Sequence, residues 1–152
     1  MSRRDEITMT AGEVETFLQG RHTMTVATVG PDGRPHLVAM WYGFHRGAPA
    51  FWTYARSQKA VNLRRDPRLT CLVDDGDSYD TLRGVELVGR GTLLEDPGDV
   101  LAVGTSVFER YTGPAEGEAR AGLERSAAKR VAVRVEVERV VSWDHAKLGG
   151  GY

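Results

Sequence analysis

The hydrophobic pattern of the chain changes its period several times, which predicts short strands interrupted by short helices. Apolar residues recur at helical spacing over residues 13–18, and residues 22–29 then alternate between apolar and small polar side chains. The clearest alternation lies near the end of the chain, where four valines point one way and charged side chains the other. Such a period of two is typical of a half-buried antiparallel strand. These valines are Val131, Val133, Val135 and Val137.

Turn residues divide the other apolar segments into further strands. Pro31 and Gly33 predict a hairpin, because proline presets φ at the first turn position and glycine tolerates the left-handed position that follows. The segments on either side of the next turn, at Arg46 and Gly47, predict that three successive strands form an antiparallel meander. The strands predicted after the first are residues 36–44, 51–54, 69–73, 85–94 and 131–137.

Helical segments lie between the groups of strands. Thr10, Ser57 and Asp96 each precede a helical pattern and are residues that cap helix N-termini well. Gly89 and Gly91 lie two apart on one face of a strand, which predicts a sharp bend or a close backbone neighbour. The predicted helices are residues 13–18, 57–64, 97–111 and 116–127.

Parallel βαβ repeats are absent from this order of elements. The sequence therefore predicts a mainly β (α+β) fold, an antiparallel barrel of six or seven strands with short peripheral helices. A length of 152 residues and a mass of 16.7 kDa fit a single domain over residues 1–152.

Composition narrows the class of protein. Hydrophobic residues make up 41% and charged residues 27%, which excludes a disordered chain and a membrane bundle. The 20 basic and 21 acidic residues give a net charge of -1, which argues against a dedicated binder of nucleic acid or of membranes. No apolar segment follows the charged N-terminus, so we expect a cytoplasmic protein. The single cysteine, Cys71, lies in an apolar strand and is interpreted as a core residue.

The usual catalytic motifs are missing. The chain contains neither a G-x-S-x-G nucleophile elbow nor a P-loop, and its four histidines do not have metal-ligand spacing. We therefore name no catalytic residue and expect no metal site.

One segment, residues 56–68, combines features that bind anions. A strand end leads directly into a helix N-terminus, where free backbone N–H groups and the helix dipole favour a negative group. Arg56 supplies a planar guanidinium and Lys59 a mobile ammonium, while the hydroxyls of Thr53 and Ser57 are nearby hydrogen-bond donors. The segment holds five basic residues and one acidic residue, a net charge of +4. We interpret it as a phosphate or carboxylate site; the alternative is a solvated basic helix.

The strand one hairpin before this segment carries a second candidate feature. Met40, Trp41 and Tyr42 offer a platform for a flat ring beside the anion site. The alternative is that these are ordinary residues of the barrel core.

In this order, the motifs resemble the pyridoxamine 5′-phosphate oxidase-like split β-barrel superfamily. Within it, the chain is most similar to the actinobacterial flavin/deazaflavin oxidoreductase branch that uses coenzyme F420. The likeness covers nearly the whole chain and is most specific over residues 59–68. The segments that carry it are residues 24–28, 33–36, 40–42, 56–59, 62–68 and 143–150.

The resemblance implies a homodimer of split barrels with cofactor grooves between the subunits. It implies that Thr53, Arg56, Ser57 and Lys59 hold the cofactor phosphate and that Met40, Trp41 and Tyr42 line the ring pocket. Asn62 belongs to the motif and either contacts the cofactor or braces the helix.

The activity implied is hydride transfer from a reduced deazaflavin to an electron-poor small molecule, such as an enone, a quinone or a tetrapyrrole. Water or the Tyr42 hydroxyl would protonate the product. An FMN-binding oxidase or reductase on the same barrel is an alternative. From another class, the alternative is a protein that binds a cofactor or a haem-like ligand without turnover. The segment over residues 111–128 is a candidate for shaping substrate access.

Overall fold

The computed structural model describes residues 1–150 of the chain. Its helices are α1 (Arg3–Ile7), α2 (Ala11–Leu18), α3 (Gln58–Arg65), α4 (Pro97–Tyr111) and α5 (Gly117–Ala127). Its strands are β1 (Met24–Val29), β2 (Pro35–Met40), β3 (Gly43–His45), β4 (Ala48–Tyr54), β5 (Arg68–Asp75), β6 (Arg83–Leu94) and β7 (Arg130–Asp144). Two 3₁₀ turns lie at Tyr79–Thr81 and His145–Leu148.

The seven strands form one antiparallel sheet in the order β2-β1-β5-β6-β7-β4-β3. β2 and β3 are therefore the two edges of the sheet, yet only Trp41 and Tyr42 separate them in the chain. Because three peptide units span at most about 11 Å, the sheet must curl until its edges meet at this corner. The fold is a half-barrel, which confirms the prediction of a mainly β, α+β architecture.

Two details of the predicted strands were wrong. The strand predicted over residues 36–44 is interrupted, and the meander does not form, because β2 pairs only with β1 and β3 only with β4. The interruption follows from Tyr42, whose side chain is fully buried in the barrel and whose hydroxyl donates to the Leu18 carbonyl oxygen at 2.6 Å.

The core has two parts. One part fills the inside of the curled sheet, with Met24, Tyr42 and Phe51 among its largest fully buried side chains. The other lies between the sheet and α4 and includes Val100, Val103 and Val107 of that helix. The side chains of Thr10, Ser57 and Asp96 cap their helices as predicted. No helix within residues 1–150 is long and apolar enough to cross a membrane.

A β-bulge interrupts the pairing of β6 with β7 at Val88 and Gly89. A Cβ atom at Gly89 would overlap the Glu136 carbonyl oxygen on the neighbouring strand, which confirms the predicted close backbone neighbour. Val131, Val133 and Val135 are buried as predicted, but Val137 is 41% exposed. The prediction for Val137 was wrong because the valine pairs with Gly89 directly beside the shift in register, where residues 137–140 of β7 are exposed on both faces.

Candidate functional site

The end of β4 and the start of α3 bring three predicted anion-binding side chains together. The Lys59 ammonium donates a hydrogen bond to the Thr53 hydroxyl oxygen at 3.0 Å, and the Thr53 hydroxyl donates to the Ser57 oxygen at 3.1 Å. The same Ser57 oxygen caps α3 by accepting from the Ala60 backbone N–H at 3.3 Å. The network leaves the Ser57 hydroxyl proton and two of the Lys59 protons free for an outside acceptor.

Lys59 is unusual because its charge is buried without a counter-charge. The residue is only 9% exposed, and within residues 1–150 no carboxylate lies within ion-pair distance of its ammonium. Burial lowers the pKa of Lys59 from its ordinary value. An unpaired buried ammonium is costly, and an anion bound beside it would offset that cost.

The other basic side chains of this segment differ in their partners. Arg64 and Arg65 donate to backbone carbonyl oxygens, and Arg68 forms an ion pair with Asp66 at 2.7 Å. Arg56 is exposed, and its guanidinium has no hydrogen-bond partner in the described part of the chain. Lys59 and Arg56 are thus the cations available to a ligand, and the burial of Lys59 disagrees with a merely solvated basic helix.

Asn62 lies one turn further along α3 and is fully buried. Its side-chain amide donates to the Thr28 hydroxyl on β1 at 3.0 Å, and its carbonyl oxygen accepts from Gln58 at 2.7 Å. These contacts correspond to the bracing interpretation of Asn62, because the side chain fixes α3 on the sheet and offers no free atom to a ligand.

The three residues of the predicted ring platform occupy different environments. Met40 is partly buried against the barrel core, whereas Trp41 is 54% exposed. Tyr42 is fully buried, and its phenol already donates to the Leu18 carbonyl oxygen. Desolvation raises the pKa of Tyr42 to about 12, which together with its burial argues against this hydroxyl as a proton donor to product. Of the three side chains, Trp41 presents the most free surface.

The register of β1 relates Met40 of the ring platform to the residue that braces α3. Met40 pairs with Met24 at one end of β1, and Thr28, which bonds Asn62, lies four residues further along the same strand. At about 3.3 Å per residue, this separation is roughly 13 Å along the sheet. Met40 and the residue that braces α3 thus contact β1 at opposite ends of the strand.

Sequence reasoning missed Arg110 and Tyr111 as neighbours of the platform. Both lie in the last turn of α4. In the structure the Tyr111 ring stacks on Trp41 with centroids 4.7 Å apart and planes 1° apart. The guanidinium of Arg110 lies over the rings of Tyr42 and Phe44. Only the aromatic composition of the helix end could have suggested this arrangement, because its partners are about 70–90 residues away in sequence.

Cys71, the one cysteine, is fully buried on β5, as its interpretation as a core residue predicts. Burial raises the pKa of its thiol to about 12. A thiolate is therefore disfavoured at neutral pH, and this residue is not a nucleophile.

The alkaline stability profile is expected to report the charge on Lys59. Because burial lowers the Lys59 pKa, the unfolded chain holds this proton more tightly than the folded chain does. The ligand-free protein therefore gains stability as the pH rises from the folded pKa toward the ordinary value of 10.5. Lys59→Met removes this titration. We expect the variant to have the higher melting temperature at neutral pH and its advantage to shrink toward pH 10.5. An advantage that does not change over this range would contradict a buried charged ammonium.

Residues 10–144 match the family model for pyridoxamine 5′-phosphate oxidase. The match covers most of the chain, so the protein belongs to this family. An F420H(2)-dependent biliverdin reductase from Mycobacterium tuberculosis is 27% identical over 143 residues, which cover 93% of each chain.

Two solved structures are also similar. A conserved hypothetical protein from Mycobacterium tuberculosis is 48% identical, with a TM-score of 0.93, over 100% of this chain and 95% of that one. A structure described as an F420 reductase is 28% identical with a TM-score of 0.67, over 87% of this chain and 98% of that one. The split-barrel resemblance seen in the sequence is thereby confirmed.

Proposed function

We propose that the protein is a coenzyme F420-dependent oxidoreductase that passes a hydride from the reduced deazaflavin to an electron-poor small molecule. The observation that carries the proposal is the buried Lys59 ammonium, which has free protons beside the Ser57 hydroxyl and no carboxylate partner within residues 1–150. This donor set fits a phosphate group. The similarity to proteins described as F420-dependent biliverdin reductase and F420 reductase supports the deazaflavin as the cofactor.

The bound cofactor would supply the hydride chemistry, so the protein's task is to bind and orient. In this proposal Lys59, Arg56 and Ser57 hold the phosphate, Thr53 positions Lys59 and Ser57, and the start of α3 adds backbone N–H groups. Trp41 would lie beside the ring, and the acceptor would be a planar molecule such as an enone, a quinone or a tetrapyrrole. Water is the proton source in this proposal, because the Tyr42 phenol already donates within the fold.

The proposal includes a homodimer, with the cofactor groove formed by both subunits. On the outer face of β1, β5 and β6, the paired residues Ala27, Thr70 and Val88 form a partly exposed row. Leu37 borders this row and is 64% exposed. A second copy covering this face would bury apolar surface that a monomer leaves in water.

The expected mass in solution is therefore twice the 16.7 kDa of one chain. Multi-angle light scattering at micromolar concentration measures it directly. A monomer under these conditions would contradict a cofactor groove shared between subunits.

A parallel titration with coenzyme F420, FMN and haem, read by absorbance and fluorescence, tests the cofactor. We expect F420 to bind most tightly. Reduced F420 is then mixed with enone, quinone and tetrapyrrole acceptors, and its reoxidation is followed. Tight binding of F420, without reoxidation of the reduced cofactor by any acceptor, would refute the proposed enzymatic activity. The protein would then be a carrier of the cofactor.

The second candidate is an FMN-binding oxidase or reductase of the same fold. Its support is that the anion site recognises a phosphate group and that the matching family model is that of pyridoxamine 5′-phosphate oxidase. Tighter binding of FMN than of F420 in the same titration would favour this candidate.

A further inference from the structure

The two-residue link between the sheet edges is held by the last turn of α4. Arg110 donates from Nε to the Tyr42 carbonyl oxygen at 2.9 Å and from Nη2 to the Gly20 carbonyl oxygen at 2.9 Å. It also reaches the carbonyl oxygens of Leu18 and Gln19, each at 3.3 Å. One side chain therefore ties the link to the end of α2 and to the residues that lead into β1.

The guanidinium of Arg110 has no carboxylate partner within residues 1–150. Its Cζ atom lies 4.8 Å from the ring centroids of both Tyr42 and Phe44 and 5.7 Å from that of Tyr111. A guanidinium can bridge several carbonyl oxygens and stack on aromatic faces at once, whereas the compact ammonium of lysine cannot. The geometry thus uses properties that are specific to arginine.

Tyr111 completes the contact between α4 and the link. Its hydroxyl donates to the His22 carbonyl oxygen and accepts from the Tyr42 backbone N–H at 3.5 Å. Its ring covers one face of Trp41 in a parallel stack. The last turn of α4 consequently determines where the exposed Trp41 ring points and how far apart the sheet edges stand at this corner.

We propose that Arg110 and Tyr111 are positioning residues for the ring end of the bound cofactor, acting through Trp41. The inference rests on the proposed function, because it takes the Trp41 side of the half-barrel as the place of the ring. The anion site is built on the end of β4 and the start of α3, whereas Arg110 and Tyr111 lie in the last turn of α4. Arg110 and Lys59 should therefore govern different parts of one ligand.

The binding experiment compares coenzyme F420 with its phosphate-free deazaflavin fragment. We expect Arg110→Met to weaken the binding of both compounds by about tenfold, which corresponds to the loss of about one hydrogen bond. Arg110→Lys should restore only part of this affinity, because an ammonium cannot replace the planar guanidinium. Lys59→Met should weaken F420 alone. Unchanged affinity of Arg110→Met for both compounds, with the fold retained by circular dichroism, would overturn the inference.

A ligand-free measurement tests the same inference independently. Acrylamide quenching of tryptophan fluorescence measures the exposure of Trp41. The contribution of Trp41 is the part of the fluorescence that is lost in the Trp41→Phe variant. Tyr111→Leu should increase this quenching by removing the stack, whereas Tyr111→Phe should leave it nearly unchanged. Equal quenching of the wild type and Tyr111→Leu would contradict the role of Tyr111, and this pair remains informative if Arg110→Met does not fold.

The two hypotheses fail in different ways. If the wild type binds neither F420 nor the fragment, the proposed function is refuted, and the quenching result alone decides whether α4 orients Trp41. If the wild type binds both compounds but neither the Arg110 nor the Tyr111 variants change affinity, the proposed function stands and the positioning role is refuted.

Discussion

Replacing Lys59 by methionine is expected to weaken binding of coenzyme F420 by about 10- to 150-fold, equivalent to about 1.5–3 kcal/mol. The variant loses the charge-assisted hydrogen bonds that the ammonium offers to a phosphate. The same change should raise the melting temperature of the ligand-free protein, because methionine fills the site without an unpaired buried charge. Fluorescence titration and thermal unfolding measure the two opposite effects.

Lys129→Met is the matched control, since it removes the same charge from an exposed position. It should leave both the F420 affinity and the melting temperature close to those of the wild type. If Lys59→Met bound F420 as the wild type does, Lys59 would be a structural residue and the anion site would lie elsewhere.

Gly89→Ala is expected to destabilise the fold by about 2–3 kcal/mol or more. The added Cβ would meet the Glu136 carbonyl oxygen, and both groups belong to paired strands that cannot move apart without breaking the ladder. Chemical denaturation measures the loss in the free energy of unfolding, with the midpoint and the slope of the transition fitted together.

Gly12→Ala provides the comparison for this substitution. Gly12 lies in α2 with no atom within 4 Å of an added Cβ, and alanine favours a helix by about 0.5–1 kcal/mol over glycine. We expect this variant to be as stable as the wild type or slightly more so. Similar stabilities for the two variants would mean that the bulge adapts to a side chain.

The anion site could be predicted from sequence because its determinants are local. A strand end, the cap at Ser57 and the spacing of Thr53 and Lys59 all fall within seven residues, so helix geometry alone brings them together. The burial of Lys59 could not be predicted, because the surfaces that cover α3 come from distant strands. The role of Asn62 was left open for the same reason, since its partner Thr28 lies 34 residues earlier.

The strand order shows where local patterns stop being sufficient. Periodicity located the strands, but hairpin reasoning paired each strand with its neighbour in sequence, and β2 and β3 do not pair. Tyr42 decides the outcome: its apolar ring and hydroxyl are satisfied inside the barrel beside Leu18, and that partner is not visible from the residues around it. Val137 is likewise exposed beside a bulge that is seen only in the pairing of β7 with β6, where Glu138 is the extra residue.

Because of the short link between β2 and β3, ligand binding should affect how firmly the two edges of the sheet are held together. Covalent chain joins the two sheet edges at one corner only, through Trp41 and Tyr42. A ligand held by both Lys59 and Trp41 would add a noncovalent connection between α3 and this corner of the sheet. By linkage it would stabilise the folded state by about 2.7 kcal/mol at a concentration of 100 times Kd. The amides of the two edge strands should then exchange hydrogen for deuterium more slowly, so that the cofactor acts as a removable cross-link.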